Sequence, residues 1–259
     1  MMDPPIPAQH SEPDLVLLHG WGMNAAVWKD VSRDLRGTAV CHPIELPGHG
    51  DRPFSPRSPD LWSWADACLE AAPDRALWLG WSLGGLIALT AALRAPERVE
   101  GLILVTATPR FVQAADWAPA MPAETLRQFH AAFALDPAAT LTRFLALQVR
   151  GSERARETMR ILRARNAGRP TPDPDALLLG LELLREGDLR GRLPDIGCPA
   201  LWLFGTRDTL VPAAAAGRVE LLMPGARTAI IQGAAHAPQL SHPRQTHSAI
   251  QSFLASRGF

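Results

Sequence analysis

Short continuous apolar runs alternate along this chain with longer amphipathic stretches. The runs at 15–18, 38–44, 76–79, 101–106, 200–204 and 228–232 are too short for helices and carry no polar face. That is the pattern of strands covered on both sides in a parallel sheet. The stretches near 25–35, 61–71, 83–95, 213–222 and 243–256 repeat their apolar residues at helical spacing. Strand and helix in strict alternation predict an α/β fold with a doubly wound, mostly parallel sheet. From about residue 110 to 191 the strand signal disappears, and helical text is broken by Pro119, Pro122, Pro137, Gly151, Gly168, Pro170, Pro172 and Pro174. An all-helical cap is therefore expected at 110–191, inserted between a first core segment at 1–109 and a second at 192–259. No internal repeat or low-complexity tract interrupts this plan.

Gly80-Trp81-Ser82-Leu83-Gly84 matches GxSxG, directly after one apolar run and directly before a helical pattern. A serine between a strand and a helix is the context of a nucleophile elbow, where flanking glycines let the strand and helix approach closely. A serine nucleophile needs a general base, and the base needs a group that fixes its tautomer. The run at 200–204 ends in Gly205-Thr206-Arg207-Asp208, and the run at 228–232 ends in Gly233-Ala234-Ala235-His236. Both place a catalytic side chain type in a loop at the carboxyl end of a strand, where ligands bind in open α/β sheets. Ser82, Asp208 and His236 are thus the candidate catalytic set, in the order serine, acid, histidine.

Other residues compete for these roles. His242 precedes Pro243 at a helix start and fits a capping or surface residue, while His49 lies before the serine in a turn-rich loop. Asp188 and Asp195 have no strand in front of them. An oxyanion also needs backbone N–H donors. Leu83 supplies one at the start of its helix, where free N–H groups favour negative charge. His19-Gly20-Trp21-Gly22 follows the first strand and offers Trp21 as the second, although a plain strand-ending turn explains the glycines equally well.

Composition narrows the field. Among 259 residues, Lys+Arg and Asp+Glu are both 26, so the overall charge points to neither nucleic acid nor a membrane surface. Cys41, Cys68 and Cys198 are odd in number and sit in or beside apolar segments, which fits a reducing compartment. Residues 1–13 lack both a basic start and an apolar stretch, and no apolar run nears the roughly 18 residues of a membrane span. A cytoplasmic, monomeric protein is expected. The histidines show no metal-ligand spacing, so neither a metal nor a cofactor is expected.

The chain resembles the α/β-hydrolase superfamily from about residue 15 to the end. Within it, four stretches resemble the pimeloyl-acyl carrier protein methyl ester carboxylesterases of biotin synthesis. They are 15–22 (LVLLHGWG), 77–86 (LWLGWSLGGL), 143–148 (RFLALQ) and 234–238 (AAHAP). The resemblance implies Ser82, Asp208 and His236 as triad and Trp21 and Leu83 as oxyanion donors. It also implies substrate contacts at Trp21, Ser82, Leu83, His236 and the cap residues Phe144, Leu147 and Gln148. It further implies a partner, an acidic acyl carrier protein bearing a pimeloyl methyl ester, docked on cap arginines. Arg143, Arg156 and Arg160 match such positions, whereas Ala139 stands where the family has another arginine. From Arg143 to Arg169 eight arginines face two acids, Glu153 and Glu157, and Arg156, Arg160 and Arg163 share a helix face. A solvated helix face explains the same run without any partner. A short-chain esterase or thioesterase with no carrier, and more remotely a noncatalytic ligand-binding module, are the alternatives.

Overall fold

A computed structural model of the chain describes residues 12–55 and 60–257. The N-terminal stretch taken above as neither leader nor anchor lies, through residue 11, outside the described residues. The six apolar runs pair into one sheet: β1 (Asp14–Leu18), β2 (Val40–Ile44), β3 (Ala76–Trp81), β4 (Val99–Val105), β5 (Ala200–Gly205) and β6 (Arg227–Ile231). All pairings are parallel, in the order β2-β1-β3-β4-β5-β6. Every residue of β3 and β5 is buried, as continuous apolar runs require, while β2 and β6 at the edges are partly exposed.

Side chains alternate between the faces, so the sheet carries a core on each side. On one, Val16, Leu18, Trp78, Leu102, Trp202 and Phe204 pack with α2 (Leu61–Ala71), α3 (Leu83–Arg94) and α8 (Ala215–Leu222). On the other, Leu15, Leu17, Leu79, Trp81, Ile103 and Leu203 meet α1 (Lys29–Asp34) and α10 (Pro243–Ala255). The helix expected at 25–35 is split into a 3-10 turn, Ala25–Trp28, and α1. β2 starts at Val40, because the Thr38 and Ala39 N–H groups close the turn onto the Leu35 carbonyl.

Between β4 and β5 lie four cap helices, α4 (Ala123–Leu135), α5 (Pro137–Val149), α6 (Ala155–Asn166) and α7 (Pro174–Glu186). The punctuation seen in the sequence has a local cause. Pro137 and Pro174 begin helices, where a missing N–H is harmless, and Asp136 and Asp173 cap them. Gly151 and Gly168 follow α5 and α6 at φ 81° and 72°, a conformation that favours glycine. Ahead of α4, isolated bridges join Val112 to Met121 and Ala114 to Trp117. Arg165 on α6 pairs with Asp30 on α1, and Asn24 bonds Asn166, tying cap to core. Among the described residues no helix is long and apolar enough to cross a membrane.

Candidate active site

From β1 the chain runs to β2 on one side, and from β3 it runs to β4 on the other, so the loops after β1 and β3 diverge and open a crevice at their carboxyl ends. Ser82 stands in that crevice at φ 56° and ψ −117°, a region closed to most side chains. The conformation is over-determined: Ser82 N–H donates to Val105 O at 3.0 Å, and its carbonyl accepts from Gly85 and Leu86. A Cβ at Gly80 would stand 2.4 Å from Gly84 O, and one at Gly84 would stand 2.4 Å from Leu18 O. Strand, serine and helix therefore meet only because both positions lack a side chain.

Asp208 follows β5, and its Oδ1 accepts the Leu210 and Val211 N–H groups at 2.8 and 3.0 Å. That leaves Oδ2 for His236 Nδ1 at 2.8 Å, and His236 Nε2 lies 2.9 Å from Ser82 Oγ. A proton on Nδ1, held by the carboxylate, makes Nε2 the acceptor of the serine hydroxyl proton. Exposure is 3% for Ser82, 6% for Asp208 and 1% for His236, so the chain of bonds is shielded from water. The three sequence candidates are brought together. The competitors are not: Asp188 pairs with Arg110 and Arg190, and hydrogen bonds from these guanidinium groups, Arg190's foremost, hold it down to about 2 despite partial burial. Asp195 pairs with Arg192. His242 occupies the N-cap position of α10, yet its ring bonds Ser241 Oγ and leaves the helix uncapped.

His19 fixes the loop after β1. Its Nδ1 lies 2.9 Å from Gly20 O, and its Nε2 lies 3.1 Å from both Leu46 N and Glu45 Oε2. His49 packs 5.1 Å from the His19 ring; burial first, then His19, pushes its pKa down to about 3. It makes an internal neutral support for the loops. The loop lies close against the nucleophile: a Cβ at Gly20 would stand 3.3 Å from the Trp81 ring and 3.4 Å from Ser82 Cβ. Among the described residues, neither the Trp21 nor the Leu83 backbone N–H has a hydrogen-bond partner, so both are free to meet an oxyanion.

The Trp21 side chain faces the cap. Its Nε1–H donates to Leu177 O on α7 at 2.8 Å, and its ring meets Phe144 and Phe133 edge-on at 4.7 and 5.9 Å. Phe144 and Gln148 are buried and Leu147 is half-buried. The sequence did not signal two neighbours of the base: Phe111 lies edge-on to the His236 ring at 6.4 Å, and Gln148 O accepts the His236 backbone N–H at 3.0 Å. No residue pattern marks a backbone carbonyl. Arg143, Arg150, Arg154, Arg156, Arg160 and Arg163 are exposed, with no ion pair among the described residues. Arg165, counted with them from sequence, is spent on Asp30 instead. Among the described residues no three His, Cys, Asp or Glu side chains gather as a metal site.

The profile of the alpha/beta hydrolase fold family matches residues 13–243. A pimeloyl-[acyl-carrier protein] methyl ester esterase of Edwardsiella ictaluri is 43% identical over 248 residues, covering 94% of each chain. One of Pectobacterium atrosepticum is 45% identical over 231 residues, covering 89% of each. Among solved structures, an esterase of Exiguobacterium antarcticum superposes with a TM-score of 0.83 at 21% identity, covering 95% of this chain and 92% of its own.

Proposed function

Because the chain belongs to the α/β-hydrolase fold family, we propose that it is a serine carboxylesterase that hydrolyses the methyl ester of a pimeloyl group carried on acyl carrier protein. The observation that carries the chemistry is the buried relay from Asp208 through His236 to Ser82. The substrate follows from the relatives of 43–45% identity that bear this activity as their name.

Ser82 Oγ attacks the ester carbonyl while His236 Nε2 takes its proton, and Asp208 steadies the imidazolium that forms. The Trp21 and Leu83 N–H groups meet the developing oxyanion; one such donor is worth about 100- to 1000-fold in rate. His236 then protonates the methoxide leaving group, giving methanol and an acyl-serine. Water, deprotonated by His236, hydrolyses the acyl-serine and returns free pimeloyl-carrier. Phe144, Leu147 and Gln148 line the acyl path beneath the cap, residues 110–191. The exposed arginines of α5 and α6, Arg143, Arg156 and Arg160 among them, give an acidic carrier a surface of opposite charge. The free thiols suit a cytoplasmic setting.

Methanol release from pimeloyl-carrier methyl ester, compared with a free short-chain ester at low and high salt, tests this. A carrier preference that falls with salt, and its loss in Ser82→Ala, is the expected result. Equal cleavage of free esters with no salt effect makes the protein a generalist esterase and its arginine face a solvated surface.

A further inference from the structure

His236 is held by its backbone as firmly as by its ring. Its carbonyl oxygen accepts two side-chain hydrogen bonds, from Trp81 Nε1–H at 2.6 Å and from Thr106 Oγ1–H at 2.7 Å. Both donors belong to the sheet: Trp81 ends β3 next to the nucleophile, and Thr106 directly follows β4. Both are buried, so the two bonds are shielded from competing water.

Thr106 stands at φ 41°, where a β-branched residue is a rare outlier. Such a backbone persists only where the surroundings fix it. Here its N–H donates to Leu203 O on β5 at 2.7 Å, while its hydroxyl reaches the His236 carbonyl. Glycine would accept this φ with no steric cost. A threonine in that place keeps the strain and gains one thing glycine lacks, a hydroxyl aimed at the histidine loop.

We propose that Thr106 is a positioning residue for His236, its hydroxyl acting with the Trp81 indole as a clamp that keeps the imidazole in line between Asp208 and Ser82. The inference rests on His236 being the general base. With one donor lost, the His236 peptide is free to tilt, and the ring, already bonded at 2.8 and 2.9 Å on either side, moves off line. Small misplacements of reacting groups are costly in rate. Losing one buried hydrogen bond corresponds to about a 5- to 10-fold fall in kcat.

The test measures kcat and KM on a free p-nitrophenyl ester, with active sites titrated by a fluorophosphonate, for wild type, Ser82→Ala and three Thr106 variants. Thr106→Val keeps the shape and removes the hydroxyl; kcat per titrated site is expected to fall about 5- to 10-fold with KM unchanged. Thr106→Ser restores the hydroxyl and brings kcat back to within about twofold. Thr106→Gly relieves the backbone and is expected to stay folded yet slow, like the valine variant. Wild-type kcat per site in Thr106→Val overturns the clamp alone, as does a loss that serine fails to rescue. A wild type no more active than Ser82→Ala overturns the assignment of the site, and the clamp with it.

Discussion

Replacing Asp208 by asparagine changes one atom and reverses a proton. Asp208 is pinned because its Oδ1 accepts two backbone N–H groups, from Leu210 and Val211. In Asp208→Asn only the amide oxygen can take that place, so the NH2 group must point at His236 Nδ1. A donor facing a donor is repelled, and the imidazole relieves it by moving its proton to Nε2. Nε2–H then donates to Ser82 Oγ across the 2.9 Å contact and no longer accepts its proton. The fold keeps both turn hydrogen bonds, so stability should change little. By the behaviour of such triads, kcat should fall by about 10⁴, or about 5 kcal/mol of transition-state stabilisation. Stopped-flow acylation by a p-nitrophenyl ester, alongside the urea unfolding midpoint, separates the two effects. An asparagine variant within tenfold of wild type would refute the assignment of Asp208 as the acid. A variant that is slow only because it is unfolded would refute the pinning.

Three further outcomes follow from other parts of the molecule. In Gly84→Ala the new Cβ would meet two backbone oxygens, Leu18 O at 2.4 Å and His19 O at 2.5 Å, which cannot rotate away. Denaturant unfolding should show a loss of about 3 kcal/mol, the upper end for overpacking; a loss below about 1 kcal/mol contradicts the tight strand-to-helix contact. His49 stays neutral in the native state down to about pH 3, against 6.5 for its ordinary value. Between those values the unfolded chain takes up the extra proton, so stability falls as pH falls, by up to about 1.4 kcal/mol per pH unit. His49→Asn, which keeps an N–H for the Pro47 carbonyl, should flatten that slope by about one proton in unfolding titrations from pH 6 to 4. On the cap, Arg156→Glu with Arg160→Glu should lower kcat/KM for the carrier-bound ester at least about tenfold at low salt and leave a free ester untouched. Equal losses on both substrates would place these arginines outside carrier recognition.

The parts legible in the sequence are those that a parallel sheet forces into order. Apolar runs covered on both faces mark the strands, and the ends of those strands are where Ser82, Asp208 and His236 stand. The local grammar of turns added the glycines at 80 and 84, while Pro137 and Pro174, which read as breaks, stand at the first position of α5 and α7. What escaped notice depends on distance or on the backbone. Arg165 looks like its neighbours until Asp30, 135 positions away, comes beside it. Thr106 sits in no motif, and its hydroxyl matters only once β4 lies next to the histidine loop. α9 (Pro238–Ser241) is too short to show a period.

The corner between α5 and α6 is stitched to the loop after β6 by two backbone bonds, His236 N–H to Gln148 O and Glu153 N–H to Gly233 O. Backbone bonds of this kind survive almost any exchange of side chains, but not a change in the length or path of the corner. The insertion therefore has an interchangeable part and a fixed part. Side chains of α4 and α7 take no part in these two bonds, whereas a graft that replaces the whole insertion must reproduce this corner or deliver a misplaced histidine. Variation in this chain therefore has freedom over the side chains of the insertion and very little over the path of its hinge side.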